Sequence, residues 1–386
     1  MMTDNTPTLP LAKVRALFPH TRNQIYLNHA SISPLSSPVQ AALEHYLRER
    51  HGERIENFFP TLMEAMTRLR DRLSHLIHAE GSEQIALVSN TSHGLNLLAS
   101  GLAWQPGDRI LLNTLEFPAN VYPFLNLQAQ GVIIDWVKPR GHYLALEDFA
   151  AALQPRTRLV SVSQVQFLSG QRMPLAELSA LCQQHGSYFC VDGIQGLGAT
   201  NLDVQSLGID CLVAGGHKWL MGLEGQGFAY FSPRLLQQLQ QPQVGWLSVE
   251  DAWNMLDYRL QLRPDAARFE LGTPNAAGIV ALEAALEVFA RWPMSAITQH
   301  ILGLSQLLCE GLSERGFALL TPAAADERLG IVTCDSPEAE PLQQGLAAAG
   351  ITTSFREGRY LRFAPHFYNS PEEIAQMFRQ LDALRA

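Results

Sequence analysis

Apolar positions follow two patterns that alternate along much of the chain. Short apolar runs bounded by turn residues are typical of buried strands, and recurrence at helical spacing is typical of helices. The runs predict strands at 25–31, 85–89, 109–112, 132–137, 159–162, 187–191 and 210–214. Helical spacing predicts helices at 11–17, 38–50, 62–78, from 95 onward, at 146–153 and after Pro174.

The alternation of strands and helices predicts an α/β fold with a doubly wound sheet. Strand–helix–strand units place successive strands side by side and parallel, with right-handed crossovers. A further strand at 227–231 follows Lys218 after a short loop. Because that loop is too short for a helical crossover, we expect this strand to run antiparallel to its neighbour. The predicted sheet is therefore mixed but mostly parallel.

Beyond residue 262 the pattern changes to a turn-rich segment followed by a smaller set of elements. Helices are predicted at 277–289, 298–314 and 342–349, and strands at 331–333 and 360–363. We predict an N-terminal arm at 1–35, a large domain at 36–262 and a small α+β domain at 263–386. The arm is expected to pack on the small domain and the active site. No low-complexity linker separates the two domains, so we expect them to share one site.

Composition and charge narrow the classes of function. The chain of 386 residues is 47% hydrophobic and carries a net charge of −9 without a basic stripe, which argues against nucleic acid and membrane partners. No run reaches the roughly 18 apolar residues of a membrane span, and the start lacks a secretory signal. The five cysteines lack CxxC spacing, so we expect reduced core thiols, no metal site and a cytoplasmic protein.

Two residues whose side chains could take part in chemistry follow neighbouring apolar runs. Asp192 ends the run at 187–191, and Lys218 lies just past the run at 210–214, both within glycine-rich turns. In open α/β sheets, ligands bind at the carboxyl ends of the strands. An acid and an amine at that edge suggest a lysine that bonds covalently and an acid that tunes a cofactor.

Two other segments are ambiguous from their residues alone. Residues 90–94, Asn-Thr-Ser-His-Gly, lie between a predicted strand and a predicted helix. Such a segment fits an anion site at a helix N-terminus and fits an ordinary helix cap equally well. Asn28 and His29 lie in a polar turn, where turn chemistry is the preferred interpretation.

Four motifs in one order point to a known family. The chain resembles the class V aminotransferase family of fold-type I pyridoxal-phosphate enzymes from about Tyr26 to Met377. That family includes cysteine desulfurases, selenocysteine lyases, kynureninase and isopenicillin-N-epimerase-like proteins. The motifs are Val191-Asp192-Gly193-Ile194-Gln195, Gly216-His217-Lys218-Trp219, Arg268-Phe269-Glu270-Leu271-Gly272-Thr273-Pro274-Asn275 and Leu361-Arg362-Phe363-Ala364-Pro365-His366-Phe367-Tyr368-Asn369.

The resemblance implies that the cofactor is pyridoxal 5'-phosphate. Lys218 would form a Schiff base with it and then move protons at the substrate α carbon, which requires a neutral amine. Asp192 would keep the pyridine nitrogen protonated through a charge-assisted hydrogen bond. Gln195 would hydrogen-bond the phenolic oxygen of the ring.

The resemblance also implies contacts to the cofactor phosphate and ring face. Phe117 would stack on the ring, although its residue type alone favours core packing. Some relatives have a serine where this chain has Gly215, and the backbone amides of Gly215 and Gly216 are candidates to replace that hydroxyl. The residues expected to bind the phosphate are Thr91, Ser92 and His217.

For the substrate, a small-molecule amino acid, the resemblance implies a carboxylate clamp. Arg362 matches the arginine that binds the α-carboxylate, a bidentate task that lysine performs poorly. With the resemblance, Asn28 and His29 are expected to line the same pocket. Arg356 and Arg54 are further candidates at the substrate side chain, with surface salt bridges as the alternative.

The resemblance further implies a homodimer with shared active sites. Thr273 would reach the phosphate bound by the neighbouring subunit, with Asn275 and Trp246 at the same boundary. Each site would then contain residues of two chains.

The sequence specifies the reaction less narrowly than it specifies the cofactor. We expect an aminotransferase, with a carbon–sulfur or carbon–selenium β-lyase as the main alternative and an epimerase or kynureninase-like hydrolase as a third. The segment from Gly350 to Arg362 lacks the nucleophilic cysteine of the desulfurases, which disfavours persulfide formation on the enzyme. A non-catalytic scaffold is disfavoured because Lys218 and Asp192 are both present.

Overall fold

The computed structural model describes residues 9–55 and 58–386. The strands are β1 (Ile25–Tyr26), β2 (Ile85–Val88), β3 (Arg109–Asn113), β4 (Ile133–Val137), β5 (Thr157–Ser163), β6 (Tyr188–Asp192), β7 (Cys211–Gly215), β8 (Gly227–Phe231), β9 (Ala318–Leu319), β10 (Val332–Asp335), β11 (Ile351–Thr352), β12 (Ser354–Arg356) and β13 (Tyr360–Phe363).

The large sheet has seven strands in the order β2-β8-β7-β6-β5-β3-β4. Strands β3 to β7 pair in parallel, and β8 is antiparallel to both β2 and β7. The predicted mostly parallel mixed sheet is confirmed, as is the antiparallel direction of the strand at 227–231.

The helices alternate with these strands. They are α1 (Leu11–Arg15), α2 (Ser37–Arg50), α3 (Phe58–Leu76), α4 (Thr91–Gly101), α5 (Tyr122–Leu125), α6 (Leu146–Ala152), α7 (Leu175–His185), α8 (Pro233–Leu236), α9 (Ala276–Phe289), α10 (Met294–Glu314), α11 (Ala339–Ala348) and α12 (Pro371–Arg385). None of the helices in the described part of the chain is both long enough and apolar enough to cross a membrane.

Helices cover both faces of the large sheet. Leu212 packs in one core cluster with Leu69 of α3 and Leu282 of α9. The next residue, Val213, packs in a second cluster with Leu98 of α4. Since successive side chains of a strand point to opposite faces, both faces of β7 are buried. This explains why the central strands read as continuous apolar runs rather than alternating ones.

A second, antiparallel sheet in the order β12-β13-β10-β9 lies in the C-terminal part of the chain. Its core includes Leu308 of α10, Leu342 of α11 and Met377 of α12. Strand β1 pairs in parallel with β11, which ties the N-terminal segment to this region.

The structure contains elements that the sequence patterns did not predict, among them β9, β11, β12, α8 and α12. The three strands have two or three residues each, too few to show a period. Helix α12 carries a readable start signal, because Ser370 and Glu373 form a capping box around Pro371.

The domain limits 1–35, 36–262 and 263–386 stay a prediction. Helix α9 falls in the third range but packs against α2 and α3 of the second. In the arm, the Arg15 guanidinium donates to the Tyr368 carbonyl at 3.0 Å and pairs with Glu373 at 2.9 Å.

Candidate active site

A cavity of about 340 Å³ opens at the carboxyl ends of β2, β6 and β7, a volume in the range of small-molecule sites. Its other wall comes from the N-terminal arm and the β12–β13 hairpin. Nine of the candidate residues line this cavity: Thr91, Ser92, Phe117, Asp192, Gln195, His217, Lys218, Arg356 and Arg362.

Asp192 is the last residue of β6, and its side chain is buried at the base of the cavity. Its Oδ1 accepts a hydrogen bond from the Ile194 amide at 3.0 Å. The pKa of Asp192 is raised to about 7: burial has the largest effect, the Ile194 amide and the charge of Lys218 oppose it, and the charge of Glu116 adds to it. A buried acid of this kind favours a cationic partner, such as a protonated ring nitrogen.

Lys218 follows β7, and its Nζ lies 5.4 Å from the centroid of the Phe117 ring. The pKa of Lys218 is lowered to about 8: burial has the largest effect, the charge of Asp192 opposes it, and the charges of Arg362 and Arg356 add to it. The amine is therefore neutral at a lower pH than that of an ordinary lysine, which suits a nucleophile that attacks an aldehyde.

Helix α4 begins at Thr91 and supplies the candidate anion site. The Asn90 side chain caps it by accepting from the His93 amide at 2.9 Å. Gly94 allows the first turn to approach β7, since an added Cβ would lie 2.8 Å from Val213 Cγ1. Thr91 Oγ1 accepts from the Gly215 amide at 3.0 Å, which leaves its O–H free to donate. The first-turn amides of α4 that have no partner within the helix, together with the helix dipole, favour binding of a phosphate at this end.

The backbone amides of Gly215 and Gly216 do not replace the missing hydroxyl. The Gly215 amide donates to Thr91 Oγ1 at 3.0 Å, and the Gly216 amide donates to the Gln226 carbonyl at 2.8 Å. Each amide has one N–H, so neither is available to a phosphate. His217 lines the cavity beside them, and burial, followed by the charge of Lys218, lowers its pKa.

Gln195 and Phe117 shape the middle of the cavity. Gln195 Nε2 donates to the Ala30 carbonyl at 3.0 Å, and its Oε1 accepts from Trp219 Nε1 at 2.9 Å. These bonds fix the carboxamide and leave it one N–H donor. The Phe117 side chain is 45% exposed and edge-on to Phe167, so it is not a core residue.

Arg362, on β13, is buried at the opposite wall from the sheet. It donates from Nε to Ser354 Oγ at 3.2 Å, from Nη1 to the Phe167 carbonyl at 2.7 Å and from Nη2 to Ser31 Oγ at 2.9 Å. Burial, followed by the charge of Arg356, lowers its pKa to about 9. A buried guanidinium held only by neutral groups is suited to bind a carboxylate.

The structure does not bring His29 to the cavity. Its ring is fully buried, with Nδ1 donating to the Ala364 carbonyl at 2.7 Å and Nε2 accepting from Tyr368 Oη at 2.8 Å. Burial holds its pKa well below its ordinary value. His29 thus has a core role instead of the expected substrate contact. Asn28, bridged to Ala364, also lies outside the cavity lining.

The predicted subunit-boundary residues lie away from the cavity of this chain. Thr273 is exposed, and Asn275 caps α9 by accepting from the Gly278 amide at 3.0 Å. Trp246 contacts the rings of Phe59 and Trp253. Arg54 is exposed and does not line the cavity.

Sequence reasoning missed Ser31 and gave little weight to Arg356. Ser31 Oγ accepts hydrogen bonds at 2.9 Å from both Arg356 and Arg362. The only sequence signal for Ser31 was a hydroxyl in the same polar turn as Asn28 and His29.

The residues around the cavity fit pyridoxal phosphate. The α4 N-terminus offers an anion site, Asp192 an acid for the ring nitrogen, and Lys218 an amine for the aldehyde. Phe117 offers an exposed aromatic face, and Arg362 a guanidinium for the substrate carboxylate. The donors and charges match both ends of the cofactor.

Comparison with known proteins shows the family to which this chain belongs. The sequence model of the family described as Aminotransferase class-V matches residues 25–358. A cysteine desulfurase of Salmonella newport is 30% identical over 341 residues, covering 84% of this chain and 82% of that protein. The chain therefore belongs to the class V aminotransferase family, and its cofactor is pyridoxal phosphate.

Solved structures share the fold along nearly the whole chain. The apo cysteine desulfurase of Thermococcus onnurineus NA1 has a TM-score of 0.89 at 24% identity and covers 98% of both chains. The cystine C-S lyase C-DES, in complex with its reaction product cysteine persulfide, has a TM-score of 0.86 at 25% identity. That match covers 94% of this chain and 98% of C-DES. A C-DES mutant holds glycine covalently linked to its PLP cofactor.

Proposed function

We propose that this chain is a pyridoxal-phosphate-dependent lyase that cleaves a carbon–sulfur bond in a cysteine-like amino acid. The cavity supports this proposal because it combines an activated lysine, a buried acid and a carboxylate-binding arginine. The relatives favour the lyase alternative over the aminotransferase expected from sequence, since they are cysteine desulfurases and a cystine lyase.

The positions of the cysteines favour simple elimination over transfer of sulfur to the enzyme. All five are free and buried, and none lines the cavity. Cys334 lies in β10, where burial raises the pKa of its thiol to about 12. A buried, protonated thiol is a poor nucleophile, so the leaving sulfur would depart as a free product. Unpaired cysteines also support a cytoplasmic location.

Each residue then has a defined task. Arg362 binds the α-carboxylate and orients the substrate, and the neutral Nζ of Lys218 removes the proton from the α carbon. When bound, the cofactor supplies an aldehyde that joins the amino group and a ring that accepts the electron pair. Asp192 holds the ring nitrogen protonated. The sulfur would leave the β carbon with its electron pair, and water would hydrolyse the released three-carbon imine to pyruvate and ammonia.

The proposal predicts that pyruvate and ammonia form from cysteine or cystine without any keto acid. Both products would be followed by coupled enzymatic assays, with and without an added keto acid. If nitrogen leaves the substrate only when a keto acid is present, the chain is an aminotransferase and the lyase proposal fails. Loss of α-deuterium without pyruvate would instead indicate an epimerase.

We also propose a homodimer with shared sites. A segment with many exposed apolar side chains supports this, because such patches usually mark interaction surfaces. The exposed residues in that segment are Val244, Trp246, Trp253, Met255, Leu256, Tyr258 and Leu260. Sedimentation equilibrium should give twice the chain mass of 42.7 kDa. A monomeric, fully active protein would contradict the proposal.

A further inference from the structure

Two arginines face the cavity from one β-hairpin. In the β12–β13 pair, Ser354 lies opposite Arg362 and Arg356 lies opposite Tyr360. Because alternate residues of a strand share a face, Arg356 and Arg362 project from the same face of the hairpin. Both line the cavity, and both donate at 2.9 Å to the same Ser31 oxygen. The two guanidinium groups are therefore close neighbours.

Neither guanidinium has a carboxylate partner among the residues that the structure describes. Arg362 bonds Ser354, Phe167 and Ser31, and Arg356 bonds the Phe355 carbonyl and Ser31. Burial lowers the pKa of both groups. On the exposed turn of the same hairpin, by contrast, Arg359 pairs with Asp335. Two adjacent cations without an acid leave the cavity wall with uncompensated positive charge.

The unused donors are enough for two anionic groups. A guanidinium has five N–H donors. Arg362 uses one on each of its three nitrogens, so one N–H remains on each Nη, which suits one bidentate carboxylate. Arg356 uses one N–H on each Nη, so its Nε–H and one N–H on each Nη remain. If Arg362 binds the single α-carboxylate, the remaining donors and the positive charge of Arg356 have no anionic partner.

We propose that Arg356 determines specificity by binding a second anionic group, carried on the side chain of the amino-acid substrate. This inference rests on the proposed function, in which Arg362 holds the α-carboxylate. Arg362 is buried, whereas Arg356 is half-buried and adjoins the exposed turn at 357–359. The α-carboxylate therefore binds deep in the cavity, and the side-chain anion binds nearer its mouth.

The test compares amino acids that differ in side-chain charge but hardly in shape. The two pairs are aspartate with asparagine and glutamate with glutamine. Each amino acid would be titrated into the holoenzyme while the cofactor absorbance is followed. We expect the acidic member of at least one pair to bind about tenfold more tightly or better. In Arg356→Gln that ratio should fall to about one, with little change in the affinity for the amide.

Two further variants test whether the preference for the acidic amino acid depends on Arg356 itself. Arg356→Lys keeps the charge and should retain part of the preference. Arg359→Gln removes a guanidinium from the same hairpin outside the cavity and should keep the full preference.

Equal binding of acids and amides by the wild type would overturn the inference while leaving the proposed function intact. An Arg356→Gln variant that binds both members of each pair equally weakly would also overturn it, since Arg356 would then share the α-carboxylate. A coloured wild type whose absorbance responds to no amino acid would refute the proposed function itself, and the inference with it.

Discussion

Replacing Lys218 by alanine is expected to abolish covalent attachment of pyridoxal phosphate and to lower turnover by about 10⁴-fold. Lys218 is the only one of the three lysines in the sequence that lines the cavity, so no other lysine can take its place. The wild type should be yellow when purified with the cofactor. The variant should lack that visible absorbance.

A matched control is available in Lys138, which is exposed and directly follows β4, an edge strand of the large sheet. The Lys138→Ala variant should keep both colour and activity. Borohydride reduction followed by peptide mass spectrometry should place the cofactor on the peptide that contains Lys218. Labelling of another lysine in the wild type would refute the assignment without any activity assay.

The pH at which the apoenzyme captures pyridoxal phosphate gives a further check on Lys218. The attacking amine must be neutral, and the pKa of Lys218 is lowered to about 8, mainly by burial. Capture should therefore rise with pH and reach half its maximal rate near pH 8. A free lysine, with a pKa near 10.4, would give a rise about two units higher. A profile at that higher pH would contradict the burial argument.

Replacing Asp192 by asparagine is expected to lower kcat by on the order of 10³-fold while the protein still binds the cofactor. Asparagine has the same shape and still accepts the Ile194 amide, but it has no negative charge to hold the ring nitrogen protonated. Lys218 and the N-terminus of α4 remain, so attachment and phosphate binding should persist.

The measurement for Asp192→Asn is kcat together with the molar ratio of bound cofactor. A large fall in kcat at nearly full occupancy would support the role in stabilising charge. Loss of the cofactor together with activity would indicate a purely structural role. Near-normal kcat would show that the protonated ring is not needed and would refute the assignment.

The large sheet could be predicted because its strands leave a strong local signal. Strands β6 and β7 are buried on both faces, so their apolar runs are continuous and easily recognised. Their parallel direction places Asp192 and Lys218 at one edge, which is why an acid and an amine 26 residues apart could be paired from the sequence. The short strands β9, β11 and β12 left no such signal.

The sequence by itself determined the fold class and the cofactor, and it predicted Asp192 and Lys218 as neighbours at one edge of the sheet. Those features depend on local runs and motifs, which are properties of neighbouring positions along the chain. Tertiary structure alone decided where the side chains of His29 and Ser31 lie, although these residues are two positions apart in one turn. His29 is enclosed by Ala364 and Tyr368, whereas Ser31 meets Arg356 and Arg362 at the cavity. All four partners lie more than 300 positions away, so only folding brings them together.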